Sequence, residues 1–175
     1  MSLHHLENLR ASYDLPFFLT SGVGLSWEGA SEEDAFGVSY KMVDYDFIET
    51  MGLELLEGRT FSKEYATDAE EAFLINEETE KLIGRDSAVG TPFTMFGRKG
   101  AVIGVMKNFH FQPLHREIQP LVFLLAPNPY WLGNIVVRFN PENTAVTLGA
   151  VEKALKDILP ACPLEYQLVD EDSSH

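Results

Sequence analysis

The sequence predicts an α+β fold, with short strands outnumbering helices and the two kinds of element mixed rather than alternating as a strict βαβ series. Three observations predict it. Period-two stretches, Phe36 to Met42 and Leu164 to Leu168, mark half-buried strands. Short apolar runs, the longest being Leu121 to Ala126, mark strands buried more deeply. One strong helical face runs through Leu148, Val151, Leu155, Ile158 and Leu159. About eight strands and about four helices are expected from these patterns.

Taken in order, Leu3, Leu6, Leu9 and Tyr13 stand near helical spacing and predict a short amphipathic helix over Ser2–Tyr13. Asp14-Leu15-Pro16 ends it, and Phe17–Thr20 reads as a buried strand. Gly22, Gly24, Gly29 and Ser31–Asp34 form a surface loop. The Phe36–Met42 strand follows, with Gly37, Ser39 and Lys41 on its wet side. Asp46-Phe47-Ile48-Glu49 has the capping-box pattern, and Gly52 sits where a left-handed stop belongs, so a turn or two of helix is expected. Leu53–Leu56 is a strand leading to Gly58-Arg59, and Ser62–Glu71 is an exposed acidic loop. Ala72–Ile75 is a short buried strand. Asn76 then caps a helix whose first turn holds Glu77 and Glu78, whose last holds Lys81, and which Gly84 closes. Pro92–Phe96 and Ala101–Val105 are strands joined by a turn at Gly97–Gly100, and Leu121–Leu125 and Ile135–Phe139 are two more. Asn143 caps the long helix, Pro160 ends it, and Leu164–Leu168 is the closing strand. The apolar face of that helix is expected to pack on a sheet.

Charge narrows the function. The 175 residues carry 13 Lys and Arg against 27 Asp and Glu, a net charge of −14. A phosphate-binding surface needs clustered cations, so nucleic acid is excluded as a partner, and anionic lipid is disfavoured for the same reason. The single cysteine, Cys162, rules out an internal disulfide and a cysteine-rich zinc module. No apolar run approaches the 18 or so residues of a membrane span, and the N-terminus lacks the basic-then-apolar order of a signal peptide. Met1-Ser2-Leu3 reads as a cloning remnant and Ser173-Ser174-His175 as the start of a tag, so the chain is expected to be an excised fragment.

Reactive constellations are missing from the pattern. Gly22-Val23-Gly24 has Trp27 where a dinucleotide site needs its third glycine. Asp68, Glu70 and Glu71 do not follow the calcium-loop order. His110 and His115 are five apart, with Glu117 nearby, whereas a helical zinc pair wants four. Cys162 lies between Pro160 and Pro163 without a basic neighbour to lower its pKa. Trp27, Tyr130 and Trp131 are either contact residues or buried loop anchors. No catalytic, cofactor-binding or metal-binding residue is assigned, and an enzyme is not expected.

A series of segments carries more. Val43-Asp-Tyr-Asp-Phe-Ile-Glu-Thr-Met-Gly-Leu-Glu-Leu-Leu-Glu-Gly-Arg-Thr-Phe-Ser62 is followed by Leu74-Ile-Asn-Glu77 and Lys81-Leu-Ile-Gly84. Then come Ala88-Val-Gly-Thr-Pro-Phe93 and Val102-Ile-Gly-Val-Met-Lys-Asn-Phe-His-Phe111. In order and spacing these segments resemble the extracytoplasmic core domain of MacB-like and FtsX-like ABC transporter permeases, over nearly the whole chain. Thr91 departs from the basic residue usual after that glycine. Physical roles for the motif residues are structural: Gly52 and Gly58 permit positive φ, Arg59 pairs with Glu57 or another acid or caps a helix end, and Asn76 satisfies helix amides.

The resemblance implies two lobes: a Porter-like lobe from residues 1–44 and 112–175, and an inserted Sabre-like lobe over 45–111. It implies a non-catalytic domain on the periplasmic side of the inner membrane, between membrane spans, that transmits ATP-driven movement to a cargo or partner protein. The partners implied are a cytoplasmic ABC ATPase, a periplasmic or outer-membrane protein and a second permease copy. The rival reading is a free-standing extracytoplasmic module that binds a peptide or lipid without ATPase coupling.

Overall fold

The computed structural model describes residues 6–12, 20–21, 25–30, 38–109, 117–126, 128 and 134–158. In chain order its elements are β1 (Leu6–Ser12), β2 (Thr20–Ser21), β3 (Leu25–Trp27), β4 (Ser39–Val43), α1 (Phe47–Thr50), β5 (Leu55–Gly58) and α2 (Asp68–Glu71). Next come β6 (Ala72–Asn76), α3 (Glu77–Ile83), β7 (Pro92–Met95), β8 (Arg98–Met106), β9 (Leu121–Leu125), β10 (Asn134–Phe139), a 3-10 turn (Pro141–Asn143) and α4 (Thr144–Ile158). The fold class is α+β, as expected.

The described strands form one ten-stranded mixed sheet in the order β10-β1-β4-β9-β6-β8-β7-β3, with β2 added to β4 and β5 to β8. Two pairings are parallel, β4 with β9 and β6 with β8; the other described pairings are antiparallel. Successive residues of a strand point to opposite faces, and here both faces are covered. One layer holds Met42, Phe73, Ile75, Phe93, Val122 and Leu124. The opposite layer holds Val43, Phe47, Phe61, Leu74, Phe123 and Leu125. All of β9 is therefore buried, no residue of Leu121–Leu125 being more than 3% exposed.

The sheet runs across the expected division at residues 45 and 111. Residues 72–76 of the expected insert pair directly with 121–125 of the expected outer lobe, and both hydrophobic layers mix residues from the two. Within 45–111, β5, β6 and β7 each pair with β8, and β6 joins that group to β9.

Some local expectations change. The N-terminal helix is instead β1, which runs antiparallel to β10 from Leu6↔Phe139 to Ser12↔Asn134; long-range pairing overrides the local helical spacing. The glycine-rich loop contains β3, whose Leu25 and Trp27 are buried while Ser26 between them is exposed. In β4, Lys41 is only 2% exposed rather than wet, because the strand lies inside the sheet and is covered on both sides. The β7–β8 turn is tighter than expected. Met95 pairs with Arg98, leaving a two-residue loop of Phe96 and Gly97 at φ 55° and 77°, the left-handed pair of a type I′ hairpin. Phe96 lies edge-on to Tyr40, with ring centroids 4.9 Å apart.

Several local readings hold. Gly52 and Gly58 have φ of +67° and +78°. A Cβ on Gly58 would run into the Ile103 carbonyl oxygen, and one on Gly52 would lie 2.8 Å from Nη2 of Arg138. The long helix exists, but its apolar face is only half-buried at Leu148, Val151 and Leu155, and Ile158 is exposed. Phe17–Leu19 and the closing strand Leu164–Leu168 lie outside the described residues.

Two stability predictions follow from this burial. Phe123→Ala should cost about 3–5 kcal/mol, the range for emptying a buried aromatic site. Leu155→Ala should fall below the ~2–5 kcal/mol of a fully buried leucine. Urea midpoints measure both, and equal midpoints would contradict the assigned burial.

Candidate functional site

Among the described residues, no group of three or more His, Cys, Asp or Glu side chains is arranged to hold a metal. The polar groups that stand out are buried junctions between elements. The first is built around Asp68, at the start of α2 and only 1% exposed. Its Oδ2 accepts from Nη1 of Arg59 at 2.6 Å and from the Ser62 amide at 2.9 Å. Its Oδ1 accepts from Nη2 of Arg59 at 2.7 Å. The pair is thus a two-bond fork, the strong form of the arginine–carboxylate interaction. The Tyr65 ring covers the guanidinium, with Cζ 3.9 Å from the ring centroid. Burial pushes the Asp68 carboxyl up, but the Arg59 hydrogen bonds, the Ser62 amide and the Arg59 charge together hold it below its ordinary value. The same hydrogen bonds raise Arg59.

A second arginine closes the neighbouring end of the sheet. Arg98, at the start of β8, donates from Nε to the Glu70 carbonyl at 2.7 Å and from Nη1 to the Leu125 carbonyl at 3.2 Å. Burial lowers its pKa, and nearby Glu70 opposes that shift.

The second junction is Asn76, at the end of β6 and the N-cap of α3. Its Oδ1 accepts from the Thr79 amide at 3.1 Å, as a cap should, and also from the Leu121 amide at 2.9 Å. Its Nδ2 donates to the Gln119 carbonyl at 2.9 Å. The Thr79 hydroxyl reaches both Asn76 Oδ1 and the Leu121 carbonyl, sharing its single proton between them. One side chain therefore joins β6, α3 and the start of β9. Beside it, Glu77 accepts from the Asn108 amide at 2.6 Å, and Glu78 accepts from Asn108 Nδ2 and from Lys81, each at 2.7 Å.

These positions answer several sequence expectations. Arg59 pairs with Asp68; Glu57 instead accepts from the Ser87 hydroxyl at 2.6 Å. The acidic stretch is exposed from Lys63 to Thr67, but its end is a helical turn with a buried acid. Trp27 is a buried strand residue stacked on Phe93, with centroids 5.8 Å apart. Glu117 is exposed. His110, His115, Tyr130, Trp131 and Cys162 lie outside the described residues. Asp68 was the residue that sequence reading missed, because nothing local distinguishes it from Glu64, Glu70 or Glu71.

Known proteins give one kind of match. No family model matches the chain, and no curated protein does. Among solved structures, the periplasmic region of MacB from Actinobacillus actinomycetemcomitans superposes with a TM-score of 0.65 over 89% of this chain and 68% of its own, at 15% identity. This chain has that fold. The extracellular domain of the noncanonic ABC-type transporter YknZ from Gram-positive bacteria gives a TM-score of 0.61 over 90% of this chain and 78% of its own, at 16% identity. A domain of a protein described as a permease from Porphyromonas gingivalis gives 0.59 over 89% and 65%, at 18% identity.

The two junctions give separable predictions. Asn76→Ala leaves the Leu121 amide and the Gln119 carbonyl without their partner and should cost about 2–5 kcal/mol. Asn76→Asp keeps the acceptor oxygen but sets a second oxygen against the Gln119 carbonyl and should destabilise as well; denaturant midpoints measure both. Because the Asp68 pKa is lowered on folding, its contribution is complete above the ordinary aspartate value of about 3.9. It is lost as pH falls through the lowered folded value. Asp68→Asn should therefore lose less stability than the unsubstituted chain between pH 6 and pH 3 in parallel denaturation series.

Proposed function

We propose that this chain is the extracytoplasmic domain of an ABC transporter permease. It would lie on the outer side of the cytoplasmic membrane and pass the movement driven by a cytoplasmic ATPase to a cargo or partner protein. The observation that carries this reading is the likeness to the periplasmic region of MacB over 89% of the chain. The likeness to the YknZ extracellular domain supports it from a second transporter. The ordered motif segments point the same way, since Gly52, Gly58, Arg59 and Asn76 each hold a turn or junction of the fold. Their roles are architectural, which suits a domain that transmits displacement rather than one that performs chemistry. A periplasmic or outer-membrane protein and a second permease copy are the further partners this reading implies.

The reading is tested in the intact reading frame and in the purified chain. The frame should place apolar spans of about 20 residues on both sides of this segment, with an ABC ATPase in the same frame or beside it. The purified chain should neither hydrolyse ATP nor retain stoichiometric zinc after dialysis. A frame without spans turns the assignment to a free-standing peptide- or lipid-binding module. About one zinc per chain would move attention to His110 and His115.

A further inference from the structure

We propose that residues 62–71 are a strap lying across the ends of β6, β8 and β9, and that it opens as one unit with the Asp68 carboxylate as its latch. The inference rests on the geometry of this segment and does not depend on the transport reading.

Both roots of the strap are fixed in the sheet. At one end Gly58 pairs with Gly104, and the Arg59 amide donates to the Ile103 carbonyl at 3.0 Å. At the other end Ala72 pairs with Ala101 and is 2% exposed. Between the roots the chain makes mostly local bonds: Tyr65 to Ser62, Asp68 to Tyr65, and Glu70 and Glu71 to Thr67, all from amide to carbonyl. Those bonds lie within the strap and travel with it.

Between Phe61 and Ala72, what fastens the strap to the rest is polar. Phe61, 5% exposed, is rooted in the hydrophobic layer with Phe47 and Phe123; beyond it Asp68, at 1%, is the buried side chain of the strap, and Lys63–Thr67 are all exposed. Arg59, held at the root, grips Asp68 through two bonds, and Arg98 on β8 takes the Glu70 carbonyl. The Asp68 carboxylate also holds the Ser62 amide, so a single group ties the far end of the strap both to its root and to its own first turn. A segment with few buried apolar contacts opens at a lower free energy than the core beneath it. Because the Arg59 and Ser62 ties both run through one carboxylate, its release loosens the segment at once rather than residue by residue, leaving Arg98 on the Glu70 carbonyl.

Hydrogen exchange read by mass spectrometry on the full chain tests the proposal, comparing the unsubstituted protein with Asp68→Asn and Arg59→Lys. In Asp68→Asn, the amides of Ser62, Tyr65, Asp68, Glu70 and Glu71 should exchange at least about tenfold faster, as a locally opening unit does. Val102–Met106 and Leu121–Leu125 should keep their protection. Arg59→Lys keeps the charge but not the two-bond fork, and should accelerate the same segment by less. Equal acceleration of the strap and the core strands would overturn the proposal, since Asp68 would then belong to the global core. Unchanged exchange over 62–71 would overturn it as well. Should Asp68→Asn fail to fold, the same comparison in Arg59→Lys decides.

Discussion

Strand β9 must be covered on both faces and paired on both edges, and much of the fold serves that requirement. Its five residues are all apolar and all buried. One edge takes β4 in parallel and the other takes β6 antiparallel. Its ends are closed by side chains. At the start, Asn76 receives the Leu121 amide and the Thr79 hydroxyl reaches the Leu121 carbonyl. At the finish, Arg98 donates to the Leu125 carbonyl, while the Ala126 amide goes to Val43. Buried backbone groups without partners are costly, so these polar side chains are what allow so apolar a strand to begin and end inside the molecule.

What the sequence reveals is what local physics decides. The unit from Ala72 to Gly84 was readable in full: an apolar strand, an Asn cap, acids in the first turn, a lysine in the last and a glycine stop at φ 67°. Each signal lies within a few residues of the structure it specifies. Strand β1 was unreadable because Leu6 and Leu9 fit a helical spacing, while its partner β10 lies at the other end of the chain. Strand β3 was hidden by its shortness and by the glycines around it. The joining of β6 to β9 is also non-local, and no pattern within 45–111 announces it. At the candidate site, Asn76 was legible as a helix cap but its reach to Leu121 was not. Asp68 was one acid among several until the fold brought it to Arg59.

The charge balance has a structural side. Lys81, Arg85, Lys107, Lys153 and Lys156 each lie within 3.3 Å of an acid, and Arg59 is committed to Asp68. Exposed pairs of this kind contribute only about 0–1 kcal/mol each. Pairing neutralises these cations locally, and the acids in excess of them, a net charge of −14, dominate the surface. The surface they leave is strongly anionic, which favours solubility and repels nucleic acid and acidic lipid.

The mixed pairing around β9 also sets how the sheet bears a pull. Inter-strand hydrogen bonds run across the strands. Tension along β9 against a fixed β6 therefore loads the Phe73–Ile75 to Val122–Leu124 ladder in shear, with its rungs resisting together. Tension at right angles would peel the same rungs one after another. The middle of the molecule is thus stiff along its strands and weaker across them, so a displacement applied parallel to β9 travels through it as through a plank, with little lost to bending.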